Sequence, residues 1–146
     1  MVDSFSSAKR SKIMRSIKSA NTRFERDFRS LLWKAGLRYR VKNNLLGKPD
    51  LYFSHARIVV FLDSCFWHGC PEHVRLPKSN KLYWKRKIAR NVERDRRISA
   101  WYKRSDWKLL RIWEHMIRND LNKCAERIEK AVRARFTANV NLISKK

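Results

Sequence analysis

The sequence is poor in glycine, proline and cysteine, with three of each in 146 residues. Three cysteines are too few, and too odd in number, for a disulfide framework. That argues for a reducing compartment, and the cytoplasm is the expected location. Acidic residues are also scarce, 13 against 36 lysines and arginines, so the formal charge is +23 and the pI about 10.9. A compact chain with that charge repels itself, and a polyanion that sheds condensed counterions on binding relieves the repulsion. No apolar run approaches the roughly 20 residues that span a bilayer. The opening MVDSFSSAKRSK lacks the apolar segment of a secretory signal.

Aromatic residues are plentiful. Six Trp, seven Phe and four Tyr in a chain that is 43% hydrophobic exclude a disordered polycation. The length suits one domain spanning residues 1–146, with a basic segment over 1–20 and a C-terminal tail over 137–146. Ile13, Met14 and Ile17 are spaced for one face of a short helix within Ser11 to Lys18. Thr22 and Glu25 fit a capping box that opens a second helix, and Gly36 stops it. Tyr39 to Val41 is short and β-prone. Asp50 to Phe53 and Ile58 to Leu62 read as adjacent strands, the second apolar throughout and therefore central. Lys81 to about Arg104 reads as a long polar helix marked by Ile88, Val92 and Ile98. Trp107 to Trp113 is a further strand, and Asn122 to Phe136 a final helix. The order predicts an α/β or α+β domain, a small mixed β-sheet flanked by helices.

Chemistry is concentrated in CFWHGCPEH, residues 65–73. Cys65, Cys70 and His73 have spacings that let one loop supply three ligands to a tetrahedral zinc. His115 is the expected fourth ligand, ahead of Cys124, which sits on an apolar-looking helix face where a cysteine packs as a small hydrophobe. Asp50 at the entry of one strand and Asp63 at the end of the next can meet at one end of a sheet, as oxygen ligands of Mg²⁺ must. A Pro-Asp alone is a weak signal that reads first as a turn. His68 adds an imidazole able to accept a proton near neutral pH. Glu25 fits either the cap or a carboxylate that orients an imidazole. Phe66 and Trp67 are consecutive, so an extended loop would aim them apart, as core residues or as wedges between base steps, with Trp84 beside Lys85 as a third member. In NVERDRR, charges at i, i+3 and i+4 can pair along the helix, or Asn91 and Arg94 can meet phosphates and a base edge.

SKIMRSIKSANTRFE, GKPDLYF, FLDSCFWHGCPEHVRLPKSNKLYWKRKIARNVERDRR and WKLLRIWEH together resemble the very short patch repair endonucleases, over roughly residues 8 to 120. The resemblance implies a restriction-endonuclease-like core with a structural zinc, and a Mg²⁺-dependent nick at T:G mismatches in DNA by a protein associated with the bacterial nucleoid. It implies Asp50 and the backbone carbonyl of Leu62 as Mg²⁺ contacts, His68 as general base and Glu25 as its partner carboxylate. Phe66, Trp67 and Trp84 would enter the duplex beside the mismatch, with the segment around Met14 and Arg15 clamping the opposite groove. Cys65, Cys70, His73 and His115 would hold the zinc. Family members have Thr-His where this chain has Leu62-Asp63, which leaves Asp63 open as a direct metal ligand, and cysteine where it has His115. A monomer is expected, with recruitment by mismatch-repair proteins open. The rival readings are a restriction-type nuclease that cuts matched DNA and a non-catalytic zinc protein that binds DNA.

Overall fold

The structure is a computed structural model that describes residues 6–9, 11 and 22–144. Met14, Arg15 and most of the short N-terminal helix expected over Ser11 to Lys18 lie outside the described residues. Helix α1 spans Arg23–Lys34, strand β1 Leu51–Phe53, strand β2 Ile58–Asp63, helix α2 Lys81–Arg104, strand β3 Lys108–Trp113, helix α3 Glu114–Asn119 and helix α4 Leu121–Ile143. The sheet order is β1-β2-β3, with β1 antiparallel and β3 parallel to β2. The mixed sheet flanked by helices matches the expectation. Four details differ from it. Tyr39–Val41 forms no strand, only a bridge from Arg40 to Tyr52. Glu114–Asn119 is a helix that the strand pattern had hidden. The last helix runs on to Ile143 through residues expected to form a tail. Val92, read as an inward marker of α2, is exposed.

Strand β2 is buried at every position because it separates two cores. On one face Ile58, Val60 and Leu62 pack with Phe28 and Leu32 of α1 and with Ile128 and Val132 of α4. On the other, Val59 and Phe61 pack with Ile98 and Tyr102 of α2. Strand alternation therefore sends Asp63 to the α2 face. Leu110 and Ile112 of β3 belong to the first core and Leu109 to the second, so Arg111 also points toward α2. Two charged residues of opposite sign thus share a sheet face with a helix laid across it.

Candidate active site and metal centre

Asp50 immediately precedes β1, and its backbone N–H donates to the Val60 carbonyl at 3.0 Å. Its carboxylate Oδ2 accepts the Leu62 N–H at 2.7 Å, leaving Oδ1 for a cation. Burial pushes the Asp50 carboxyl up to about 6; the Leu62 hydrogen bond opposes this, while the charges of Glu25 and Asp63 add to it. A buried acid crowded by two others is a site whose charge a cation would balance. The donors fit a hard divalent ion, one carboxylate and the nearby Leu62 carbonyl, with phosphate and water left to complete the shell.

Glu25, Leu62, Trp67 and His68 line one cavity of about 460 Å³, with Arg94, Glu114 and Arg118 also on its wall. Glu25 is buried at 5% exposure. The expected capping box does not form. Thr22 occupies the N-cap position, but its side chain makes no cap bond, and its Oγ1 is buried without a hydrogen-bond partner among the described residues. The extended backbone at Thr22 is the ordinary one for an N-cap and does not itself prevent the bond; Glu25 lines the cavity.

His68 Nδ1 lies 2.6 Å from Asp95 Oδ2 on α2 and 3.6 Å from Asp63 Oδ1. With Asp95 accepting from Nδ1, the ring's lone pair stands on Nε2. Burial disfavours the imidazolium, but the Asp95 hydrogen bond and the charges of Asp63 and Asp95 outweigh it and raise the His68 pKa above its ordinary value. The carboxylate bonded to His68 is thus Asp95, whereas sequence had suggested Glu25; Glu25 shares the cavity. Asp63, open above as a metal ligand, is held by Arg111 Nη1 at 2.9 Å to both its oxygens. That pairing neutralises it on the α2 side of the sheet.

Cys65, Cys70, His73 and His115 come together with all four ligand atoms within 4.8 Å of one another. His115 Nδ1 lies 3.3 Å from Cys65 Sγ and 3.6 Å from Cys70 Sγ, and His73 Nδ1 lies 3.6 Å from Cys70 Sγ. A tetrahedral zinc with ordinary bond lengths sets neighbouring ligand atoms roughly 3.3–3.8 Å apart, so the donor set fits. Cys124 is buried in the core instead, on α4. The cluster ties the loop after β2 to the first turn of α3.

That loop is a run of turns, with His68 N–H donating to Ser64 O at 3.1 Å and Cys70 N–H to Cys65 O at 2.9 Å. Phe66 and Trp67 consequently do not splay apart. Their rings meet edge to face at 5.0 Å, and Trp84 joins them at 5.5 and 6.0 Å. The trio belongs to neither core, and the Lys87 ammonium lies over the Trp67 ring at 5.3 Å. The Asn91 amide donates to the Trp67 carbonyl at 3.0 Å and so braces the loop, and the residue also lines the cavity. Lys85 and Arg94 are exposed.

Gly69 has φ +62° and stands between the imidazole and Cys70; a Cβ there would meet Ile88 Cγ2 at 2.8 Å and Val92 Cγ2 at 2.9 Å. Gly69→Ala should cost roughly 1–3 kcal/mol from backbone strain and overpacking, measured by denaturant unfolding of the metal-loaded protein.

Sequence reasoning missed Asp95 and Arg111. A signal for Asp95 was present: Ile88, Asn91, Asp95, Ile98 and Tyr102 are spaced as one face of α2, and a carboxylate amid an apolar stripe needs a buried partner.

An acid pinned to the N–H of Leu62 on a cavity wall, and an imidazole on the same wall backed by a carboxylate, in a chain of charge +23, make up a nuclease-type site for a polyanionic substrate. The family profile described as DNA mismatch endonuclease Vsr matches residues 2–73. The chain is 44% identical over 115 residues to the type II nicking enzyme V.NaeI of Lentzea aerocolonigenes, covering 74% of this chain and 69% of that protein. It is 36% identical over 135 residues to the type II nicking enzyme V.NmeDIP of Neisseria meningitidis serogroup C, covering 90% and 91%. It is 38% identical over 120 residues to the DNA mismatch endonuclease Vsr of Escherichia coli (strain K12), covering 81% and 77%. The chain belongs to the Vsr family of DNA mismatch endonucleases.

Proposed function

We propose that this protein nicks one strand of DNA on the 5′ side of the mispaired thymine in T:G mismatches left by deamination of 5-methylcytosine, initiating very short patch repair. The observation that carries the reading is a cavity walled by Glu25, Leu62 and His68, with Asp50 bonded to the Leu62 N–H and Asp95 to the His68 ring, beside an aromatic cluster outside both cores. Asp50 and the Leu62 carbonyl would hold Mg²⁺, which when bound neutralises charge on the scissile phosphate and acidifies water. His68 takes the proton of the attacking water at Nε2, and Asp95 fixes the ring from Nδ1. Arg94 and Arg118 line the cavity where phosphates would lie.

Cys65, Cys70, His73 and His115 would hold zinc as a structural ion. Restraining that loop keeps the imidazole, at position 68, and the adjacent aromatics in fixed relation. Phe66, Trp67 and Trp84 act as a preformed wedge, and a T:G wobble pair is cheaper to open than a matched pair. The sheet and its helices are read as a restriction-endonuclease-like core. One active site suffices for a nick, so the working form is a monomer in the bacterial cytoplasm. Among the described residues no helix is long and apolar enough to cross a membrane.

Trp67→Ala should weaken binding to a T:G duplex by roughly 10- to 100-fold, the worth of one base–aromatic stack, and weaken matched-duplex binding far less. Fluorescence anisotropy of the zinc-loaded protein without added Mg²⁺ measures both.

A second reading, nicking of matched DNA, takes its support from relatives named type II nicking enzymes, a name that mentions no mismatch. End-labelled duplexes carrying T:G, another mismatch or full pairing, incubated with Mg²⁺, separate the two. The proposal expects a single nick in the thymine strand of the T:G duplex, with a 5′-phosphate at the cut. Equal nicking of the matched duplex would replace it with the second reading.

A further inference from the structure

Arg111 stands in the middle of β3, where every neighbour on the same sheet face is apolar except Asp63. A guanidinium placed there is expensive to desolvate unless its donors are used, and here they are. Nη1 holds both oxygens of Asp63 at 2.9 Å, Nε donates to Ser99 Oγ at 3.0 Å, and Nη2 reaches the Asp95 carbonyl at 3.4 Å. Nη2 also lies 3.8 Å from Asp95 Oδ1, and the guanidinium sits over the Phe61 ring at 4.6 Å. A lysine could supply the charge but not the fork.

The two acids that Arg111 touches are the two that face His68. Asp95 is 2.6 Å from Nδ1 and Asp63 3.6 Å from the same nitrogen. One ring N–H cannot be given fully to both. Asp63 is only 3% exposed, and without the guanidinium its nearest positive partner would be the imidazole. We infer that Arg111 is a positioning residue: by satisfying Asp63 it leaves His68 Nδ1 to Asp95, and so fixes the direction in which Nε2 faces the cavity. The inference rests on the reading of His68 as the base. It adds a residue that touches neither substrate nor metal, and it assigns Asp63 to that residue's charge balance.

The test compares Arg111→Met, Arg111→Lys and the pair Asp63→Asn with Arg111→Met, in zinc-loaded protein at a temperature where circular dichroism finds each folded. Single-turnover nicking of a T:G duplex, duplex affinity without added Mg²⁺ and the ¹⁵N resonances of the His68 ring are measured together. In Arg111→Met the ring is drawn toward Asp63, so nicking should slow roughly ten- to a hundredfold, the scale of an ångström-level misplacement, while affinity holds and the His68 resonances shift. The double variant removes the competing acid and should recover much of both the rate and the resonances. Arg111→Lys, which keeps the charge, covers the case in which the methionine variant does not fold, and it should be slowed with unchanged affinity. Wild-type nicking and unmoved His68 resonances in folded Arg111→Met or Arg111→Lys would overturn the inference. If the wild type nicks no mismatched duplex, the functional reading fails, and the His68 resonances alone decide the positioning role.

Discussion

Replacing Asp50 with asparagine should abolish nicking and at the same time make the Mg²⁺-free protein more stable at pH 7 to 8. The carboxyl's pKa is raised from 3.8 to about 6, chiefly by burial. Below pH 3.8 the group is protonated both folded and unfolded, and nothing is lost. Between 3.8 and 6 the folded state keeps a proton that the unfolded chain releases, so stability falls as the pH rises. Above 6 the loss is complete, about 3 kcal/mol at most, or several degrees in Tm for a chain this size. Asparagine removes that charge yet can still accept the Leu62 N–H. Thermal melts of both zinc-loaded proteins without added Mg²⁺ should therefore diverge as the pH rises from 4 to 7, with the variant higher, and Mg²⁺ should narrow the gap by stabilising only the wild type. Nicking should drop by about a thousandfold or more, since no other group takes the carboxylate's place as cation ligand.

The second large effect is expected at the cysteine–histidine cluster. Cys70 is 1% exposed and touches both histidines of the group. Burial raises the Cys65 thiol, so two thiolates are held together only at a cost unless a cation compensates. Structural zinc contributes roughly 10 kcal/mol or more to small domains that depend on it. Cys70→Ser, or stripping the wild type with a strong chelator, should take elemental zinc from one per chain to none. It should also lower Tm by more than about 10 °C and abolish both T:G binding and nicking, because the loop carrying Phe66, Trp67 and His68 loses its tie to α3. A zinc-free protein with unchanged melting and unchanged nicking would remove the ion from the account.

Much of this architecture is legible in the sequence because it depends on local period and spacing. The all-apolar run of β2, the stretch that becomes α2 and the close spacing of Cys65, Cys70 and His73 are local patterns. What stayed hidden depends on pairing between distant segments. Asp95 lies in a charge-rich helix where the neighbouring acid, Glu93, simply pairs with Arg97 at i, i+4, and only its place in the Ile88–Tyr102 stripe sets it apart. Arg111 looks like an ordinary strand residue until the parallel register sets it beside Phe61, with Asp63 one strand position pair away. The capping box shows the same limit of spacing: Thr22 and Glu25 are placed for it, yet the Thr22 side chain makes no cap bond and Glu25 lines the cavity. Phe66 and Trp67 were misjudged because alternation holds for extended chain and the cluster's loop is a run of turns.

The central claim is that the cavity beside Asp50 cuts the thymine strand at a T:G mismatch. The most direct measurement is single-turnover nicking of a strand-labelled T:G duplex by wild type and Asp50→Asn at equal, saturating occupancy with Mg²⁺. One nick on the 5′ side of the thymine by the wild type, with none by the variant, is the expected result. Cleavage by Asp50→Asn at the wild-type rate, or no preference of the wild type for the mismatched duplex, would contradict it.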